Sequence, residues 1–441
     1  MTDASIAPAP LGVRDVLRLR NYRLLWTGQL ISEAGDGLTN LTLLLLVNAL
    51  TGSTAALAAM AIVLAIPPLT IGLVAGTYVD RVDRRRIMLI SDGLRAVLVL
   101  GFIAVGSTDS LWLLYVLAFV QASIGTFFTP ARSAILPRTV PTEGLLAANS
   151  LSQATRVVSG IVGSALAGLI VGVLGAFWPA FVLDSASFAV SFLLISRLPV
   201  DLGRIEGLAT RAAGGVRSSL GAGLRTIAGS RVLSTTILAL AVAMLGLGAV
   251  NVLFVPFVVR ELQVGPVWLG PVELAQSASM ILASGLITVL ARRFAPNAIV
   301  SIGMAGLAVI IALAAGVTEV WQLLVLMFAI GWFLTPLQAS VITILQTSTP
   351  DGERGRVMSV LQAGMSGASV LSMGFAGIAG DAFGVRNVFL IAGAIAAVGC
   401  VVSVVGYRGL RHLASRPSAA AGSPEGADAR AAETASVPSA G

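Results

Sequence analysis

Apolar runs of about 20 residues, separated by short polar segments, fill almost the whole chain. A helix needs about that length to cross a hydrocarbon core of about 30 Å, and only helices and closed barrels satisfy every backbone group there. The alternating pattern of barrel strands is absent. The pattern therefore predicts an all-α membrane protein with twelve transmembrane helices. The predicted spans are 23–50, 54–79, 87–107, 110–136, 147–174, 176–197, 231–258, 269–291, 296–317, 319–345, 356–380 and 385–407.

The spans group into two sets of six around a polar stretch. We predict an N-terminal half at 23–197, a cytoplasmic central loop at 198–230 and a C-terminal half at 231–408. Residues 1–22 form a polar cytoplasmic segment without a cleavable signal peptide, because the apolar run that follows is too long for one. The tail at 409–441 is rich in Ala, Ser, Pro and Gly without a hydrophobic period, so we expect it to be disordered.

The charges support a cell-membrane location. Only 11% of the 441 residues are charged and 56% are hydrophobic, which excludes an ordinary soluble protein. All 28 basic residues are Arg, and nearly all fall at one side of the predicted membrane. The positive-inside rule then places both termini in the cytoplasm. The net charge of +7 follows from this topology, so we expect no nucleic-acid partner.

Missing residue types exclude whole reaction classes. Without Lys, the chain has no Walker A lysine and no Schiff-base site. His412 and Cys400 are the only residues of their types, which excludes His-based triads, disulfides and zinc clusters. We therefore predict that the chain is not an enzyme and holds neither a cofactor nor a metal.

An internal repeat relates the two halves. "FFTPARSAIL" at 127–136 aligns with "FLTPLQASVI" at 333–342, and "SLSQA" at 150–154 aligns with "SVLQA" at 359–363. Spans 4 and 5 thus correspond to spans 10 and 11. Two parallel six-helix halves are typical of secondary transporters whose site lies between them near the midplane.

Polar residues inside the spans are candidates for function because charges there are costly. Gln29, Glu33, Asp36 and Asn40 are spaced 4, 3 and 4 apart, which aligns them on one helix face. Because no span contains His, a proton-coupled cycle must use carboxylates. We predict Asp36, followed by Glu33, as the proton-coupling residue.

Other buried charges are interpreted individually. Asp92, Arg95 and Arg132 are interpreted as a structural ion-pair cluster at one depth of spans 3 and 4. Arg156 on span 5 is a candidate to counter Asp36 or an anionic substrate. Asp184 on span 6 is a candidate for lining the cavity.

Glu273 on span 8 is treated differently from these charges. It lies near the outer end of its span, so we interpret it as a residue of the membrane interface.

Several motifs resemble those of the major facilitator superfamily. "GTYVDRVDRRR" at 76–86 resembles the superfamily's loop between helices 2 and 3. "WTGQLISEAGDGLT" at 26–39, "FFTPARSAILPRTVP" at 127–141 and "ERGRV" at 353–357 resemble its macrolide-efflux and siderophore-exporter branch. The resemblance covers essentially all twelve spans.

The resemblance implies a cytoplasmic gate between the halves. By analogy with the superfamily, Asp80 is expected to contact the start of helix 11, where the positive helix terminus and Arg356 favour a carboxylate. This latch would stabilise the state in which the cytoplasmic side is closed. The alternative is that the charge run only fixes topology. The gate residues carried over from the motif are Gly76, Asp80, Arg81, Arg84, Arg85 and Arg356.

Together these features predict export of a small amphipathic molecule, such as a drug, a macrolide or a siderophore, by proton antiport with alternating access. Uptake of a specific nutrient and lipid transport would use the same architecture. A receptor without flux is the alternative outside transport. A twelve-span chain with both halves present is expected to work as a monomer in the bilayer, with a small-molecule substrate and protons as its partners.

Overall fold

The computed structural model describes residues 11–79, 81–203, 216–350 and 352–409. Within these ranges the chain forms fifteen α-helices joined by turns and short 3-10 or π segments. They are α1 (Val13–Arg18), α2 (Arg20–Thr51), α3 (Thr54–Thr70), α4 (Gly72–Val79), α5 (Arg84–Gly101), α6 (Leu111–Ile135), α7 (Leu145–Leu174), α8 (Trp178–Ser196), α9 (Val216–Gly229), α10 (Arg231–Pro256), α11 (Leu269–Arg293), α12 (Pro296–Ala314), α13 (Val320–Ser348), α14 (Arg354–Phe383) and α15 (Val385–Gly406).

The predicted all-α membrane fold is confirmed. Ten helical segments of the described residues are long and apolar enough to cross a membrane. The other two predicted spans correspond to the broken pair α3–α4 and to the 25-residue helix α11. Pro67 and Pro68 lie just before the break between α3 and α4. Proline removes hydrogen bonds from a helix interior, which explains why the helix breaks there. The total of twelve spans stays a prediction.

Some predictions fall on residues that the structure does not describe. Asp80 and the tail beyond 409 lie outside the described residues. The described end of the predicted central loop is helical, as α9. Apolar Leu220, Leu224 and Ile227 recur there at helical spacing, and Ile227 is buried. This helix packs against α14, and the predicted bounds of the central segment stay a prediction.

Residues in the turns mark where one helix ends and the next begins. Gly52 ends α2 with φ of 61°, a left-handed conformation that glycine adopts without strain. Ser53 follows at once and caps α3 by accepting a hydrogen bond of 3.2 Å from the Ala56 N–H. Asp83 caps α5 in the same way, through the Arg86 N–H at 3.1 Å.

The helices pack as two groups. Helix α2 contacts α7 and α8, and α5 contacts α6 and α8. In the second group, α10 contacts α14 and α15, α11 contacts α13, and α12 contacts α13 and α15. Larger contacts between the groups join α3 to α14 and α7 to α11. The exact domain boundaries stay a prediction.

Two faces of the bundle can be distinguished by charge. Four helices, α2, α5, α10 and α14, begin with an arginine. We call the end of the bundle where they begin the arginine face. The opposite face contains the end of α2 and the end of α14.

The two groups meet at the opposite face. Asp381 near the end of α14 accepts hydrogen bonds from the Ser53 hydroxyl at 2.6 Å and from the N–H groups of Thr54 at 2.7 Å and Ala55 at 3.1 Å. A carboxylate of the second group therefore occupies the N-terminus of α3 in the first group, where the helix dipole favours negative charge. Arg260 adds a hydrogen bond to the Gly52 carbonyl.

The groups are separated nearer the arginine face. A Cβ atom added at Gly76, Gly364 or Gly367 would have no neighbouring atom within 4 Å. At the opposite face, by contrast, one added at Gly377 would collide with Ala58. Helix α3 packs against α14 at the opposite face, whereas α4, which continues the same span toward the arginine face, makes no comparable contact with α14. The structure therefore shows a conformation that is closed at the opposite face and open toward the arginine face.

Gly163 allows the closest packing of α7 on α2. A Cβ at this position would lie 2.7 Å from the Leu38 nitrogen and against the Ala34 carbonyl, both of which are backbone atoms. We expect Gly163→Ala to destabilise the protein by about 1–3 kcal/mol, because backbone atoms cannot move aside. The measurement is the thermal unfolding temperature of purified protein. Gly160→Ala, one turn away on the same helix, meets open space and is the matched control. Equal unfolding temperatures for the two variants would contradict this account.

Candidate transport cavity

A cavity of about 1160 Å³ lies between the two helix groups. The first group provides a polar wall, to which α2 and the neighbouring helices contribute Glu33, Asp36, Asn40 and Arg95. The second group provides a mostly apolar wall. Its apolar lining residues are Leu247, Val250, Phe254, Val255, Val272, Met327, Ile330, Leu334 and Met373. The cavity is therefore amphipathic, with most of its charged side chains on one side and mostly apolar side chains on the other.

The predicted stripe lies on α2. Glu33, Asp36 and Asn40 line the cavity. Gln29 is buried one turn away, where its amide donates to Glu33 Oε1 at 3.1 Å and to the Ser152 carbonyl at 3.4 Å. The stripe thus begins in the α2–α7 contact and continues onto the cavity wall.

Asp36 is paired with Arg95 near the middle of the bundle. The Arg95 guanidinium, eleven residues along α5 and therefore about 17 Å from its start, donates to Asp36 Oδ1. Its carbon lies 4.0 Å from the centre of the Phe188 ring, a cation–π contact. The Asp36 side chain is 36% exposed and the Arg95 side chain only 6%. The cavity therefore reaches the carboxylate, while the guanidinium is held behind it.

Two more carboxyl groups face Arg95 from the protein interior. Asp92 is fully buried, and its carboxyl group faces the Ser191 hydroxyl. Asp184 is also fully buried and accepts hydrogen bonds from Thr39 at 2.5 Å and Ser187 at 3.0 Å. Both interact electrostatically with Arg95. One guanidinium is thus shared by three carboxyl groups.

The predicted cluster of Asp92, Arg95 and Arg132 is divided in the structure. Arg132 Nη1 lies 2.6 Å from Glu33 Oε1, and Arg95 pairs with Asp36. The reason is the packing order, since α5 and α6 both face the stripe on α2. Arg95 hydrogen-bonds Asp36 and Arg132 hydrogen-bonds Glu33, each at its own depth, while Asp92 interacts with Arg95 electrostatically.

Three other predicted positions differ from expectation. Arg156 is exposed and donates to Gln153, while Arg95 is the residue that counters Asp36. Asp184 does not line the cavity, because α2 and α8 enclose it at Gly35. Glu273 lines the cavity and faces Ser164 of α7, so its interpretation as an interfacial residue was wrong.

The gate residues lie near the arginine face. Gly76 is on α4, Arg81 is exposed in the following turn, and Arg84 begins α5. Arg85 donates to the carbonyls at the end of α8, Ile195 at 3.3 Å and Ser196 at 2.5 Å. Arg356 is exposed on the first turn of α14, where α9 packs at Gly223. The contact predicted for Asp80 stays a prediction, because Asp80 is not described.

The sequence matches a known protein family over most of its length. The profile of the family described as "Transmembrane secretion effector", a branch of the major facilitator superfamily, matches residues 14–426. The chain belongs to this superfamily. Like the proteins it resembles, it is a multi-pass membrane transporter and not an enzyme, as predicted.

Efflux pumps are among its relatives. The chain is 30% identical to the multidrug efflux pump Tap of Mycolicibacterium fortuitum over 383 residues, which covers 82% of this chain and 89% of that one. It is 29% identical to Tap of Mycobacterium tuberculosis over 374 residues, covering 82% and 87%. Macrolide efflux protein A of Streptococcus pyogenes is 30% identical over 196 residues, covering 43% of this chain and 48% of that one.

Solved transporters share the fold. A point mutant of the nucleoside transporter NupG superposes with a TM-score of 0.71 at 12% identity, covering 88% of this chain and all of that one. A bacterial homologue of the iron transporter ferroportin superposes with a TM-score of 0.70 at 15% identity, covering 90% of this chain and all of that one.

Sequence reasoning missed the contact that Asp381 makes with α3. A signal was present, because Ser53 and Thr54 stand at a helix start after Gly52, and helix starts favour carboxylates. The sequence alone does not show which of the carboxylates near the same face would reach that helix start.

Proposed function

We propose that this transporter exports small amphipathic molecules from the cytoplasm by proton antiport with alternating access. The arginine face and both termini lie in the cytoplasm in this proposal, in accordance with the positive-inside rule. The observation that carries the proposal is the Asp36–Arg95 pair, a carboxylate open to a central cavity and backed by a buried guanidinium.

The charge balance of the site supports proton binding. Glu33, Asp36, Asp92 and Asp184 are four carboxyl groups, and among the described residues Arg95 and Arg132 are the two guanidinium groups that interact with them. Four ionised carboxylates beside two positive charges would leave uncompensated charge in the membrane interior, at a cost of several kcal/mol per ion. Protons brought from solution are the simplest compensation.

Arg95 provides a way to couple the proton to the conformation. When Asp36 binds a proton, its attraction for the guanidinium is lost, and Asp92 and Asp184 remain beside Arg95 as alternative partners. A change of partner would move a side chain that joins α5 to α2. The proton would enter Asp36 from the outside and leave it to the cytoplasm, while the substrate moves in the opposite direction.

The asymmetric cavity supports an amphipathic substrate. Its apolar wall can cover the body of a ligand, and its polar wall can bind the ligand's polar groups. The efflux relatives support drugs or macrolides as the substrate class. The observed conformation, open toward the arginine face, would be the one that takes up substrate from the cytoplasm.

Asp80 and its neighbours would close the cytoplasmic side in the other state. Asp83, at the end of the loop after α4, caps α5, and Arg85 joins the start of α5 to the end of α8. The described end of this loop is therefore anchored to the first group.

The test uses everted membrane vesicles energised by a proton gradient, with a pH-sensitive dye in the lumen. We expect drugs or macrolides added outside to release protons and restore the dye's fluorescence. Vesicles without the protein are the control. If no compound of a broad panel releases protons, proton antiport is contradicted, and direct uptake of labelled compound then distinguishes uncoupled transport from no transport.

A further inference from the structure

Glu273 differs from the other carboxylates that line the cavity. Glu33 and Asp36 each pair with an arginine. Glu273 faces the hydroxyl of Ser164, and no charged group interacts with it among the described residues. It is therefore a carboxyl group that lines the cavity without a basic partner among the described residues.

Its position is the closed end of the cavity. Glu273 lies one turn along α11 from Gly270, where α11 touches Ala165 of α7. Gln276, three residues later, also lines the cavity and extends the polar strip on the same helix face. Glu273 thus lines the cavity one helical turn from the point where the two helix groups meet.

The surroundings of Glu273 favour one type of ligand. A desolvated carboxylate is stable only with a positive or hydrogen-bonding partner. The apolar wall of the same cavity contains Phe254, Met327 and Met373. Methionine side chains adapt to irregular apolar shapes, and an aromatic ring attracts a cation. A ligand that satisfies both parts of the site carries a positive charge on a large apolar body.

We propose that Glu273 is the cation-binding subsite of the cavity and that it selects lipophilic organic cations as substrates. This inference rests on the proposed export function, but it concerns binding and needs no gradient. Asp36 would then bind the proton on the wall of one half, and Glu273 would bind the substrate cation on the other half. In the absence of substrate, the Glu273 carboxyl group would bind a proton or accept hydrogen bonds from water.

The test compares two probes with the same aromatic framework. Tetraphenylphosphonium is a lipophilic cation, and triphenylphosphine oxide has no net charge. Equilibrium binding of each is measured to the purified full chain in lipid nanodiscs. We expect Glu273→Gln to weaken tetraphenylphosphonium binding at least about tenfold, with little change for the neutral probe. Glu273→Asp keeps the charge and is expected to retain most of the affinity.

The control is Glu319→Gln, which removes an exposed carboxylate at the start of α13 in the same half. We expect it to leave the binding of both probes unchanged. Unchanged binding of the neutral probe to Glu273→Gln shows that this variant is folded.

Three results would overturn the proposal. These are equal cation affinity in the wild type and Glu273→Gln, equal losses for both probes, and no cation binding by the wild type. Failure of export is a separate result. Glu273-dependent binding without proton release in vesicles would contradict antiport and leave the cation subsite supported.

Discussion

Replacing Asp36 by Asn is expected to lower substrate-driven proton release in everted vesicles by at least about tenfold. Asn has nearly the same shape but cannot take up or release a proton. Arg95 keeps Asp92 and Asp184 as compensating charges, so the fold is expected to survive. The variant therefore separates coupling from folding.

Two further measurements make the Asp36→Asn result specific. Asp109→Asn changes an exposed carboxylate in the turn before α6, and we expect it to release protons as the wild type does. Downhill exchange of labelled substrate should persist in Asp36→Asn, because the apolar wall of the cavity is intact. Proton release by Asp36→Asn at the wild-type rate would remove Asp36 from the coupling path.

Replacing Arg95 by Gln is expected to have a larger effect on stability. The substitution leaves Asp36, Asp92 and Asp184 without their shared guanidinium in the membrane interior. Removal of one partner from a buried ion pair costs about 3–5 kcal/mol, because the remaining charge is uncompensated. We expect little folded protein, measured as monodisperse yield and as the thermal unfolding temperature.

A second substitution tests the cause of that loss. Combining Arg95→Gln with Asp36→Asn removes one of the stranded charges and should recover part of the folded yield, but not proton coupling. Arg156→Gln is the matched control, because Arg156 is an exposed arginine on a membrane helix. Surface substitutions usually change stability by less than about 0.5 kcal/mol. Equal yields for Arg95→Gln and Arg156→Gln would contradict the shared-charge account.

Much of the fold follows from local pattern. The lengths of the apolar runs predicted the helices, and the spacing of Glu33, Asp36 and Asn40 predicted their common face. The break after Pro67 and Pro68 turned one predicted span into two helices. These features depend on residues near one another in the sequence, which is why periodicity and proline chemistry indicate them.

The choice of ionic partners could not be predicted in the same way. Arg95 has an acidic neighbour three residues earlier on its own helix, yet it pairs with Asp36 of α2. That choice depends on the rotation of α5 toward α2. Rotation is set by the packing of several helices, which no single helix pattern contains.

Glu273 shows a second limit of sequence reasoning. Its distance from the end of the span suggested a position at the membrane surface. The cavity, however, extends to this depth because the two helix groups meet beyond Glu273, at Gly270 and Ala165. The exposure of a charged residue in a transporter therefore depends on where the halves touch, and the linear position of the residue does not reveal it.

The closure at the opposite face has a consequence for the rate of the transport cycle. Asp381 holds α3 by hydrogen bonds whose donors and acceptors water can satisfy when the halves separate. Because water replaces them, each contributes only about 1–3 kcal/mol net. A ligand or proton that favours one state by about 5.5 kcal/mol can reverse a ratio of 1:99 between two states. Binding of such a ligand can therefore reverse the resting ratio of the two conformations. Substitutions at Ser53, Thr54 or Asp381 would change this ratio, and with it the turnover rate, without changing which compounds are transported.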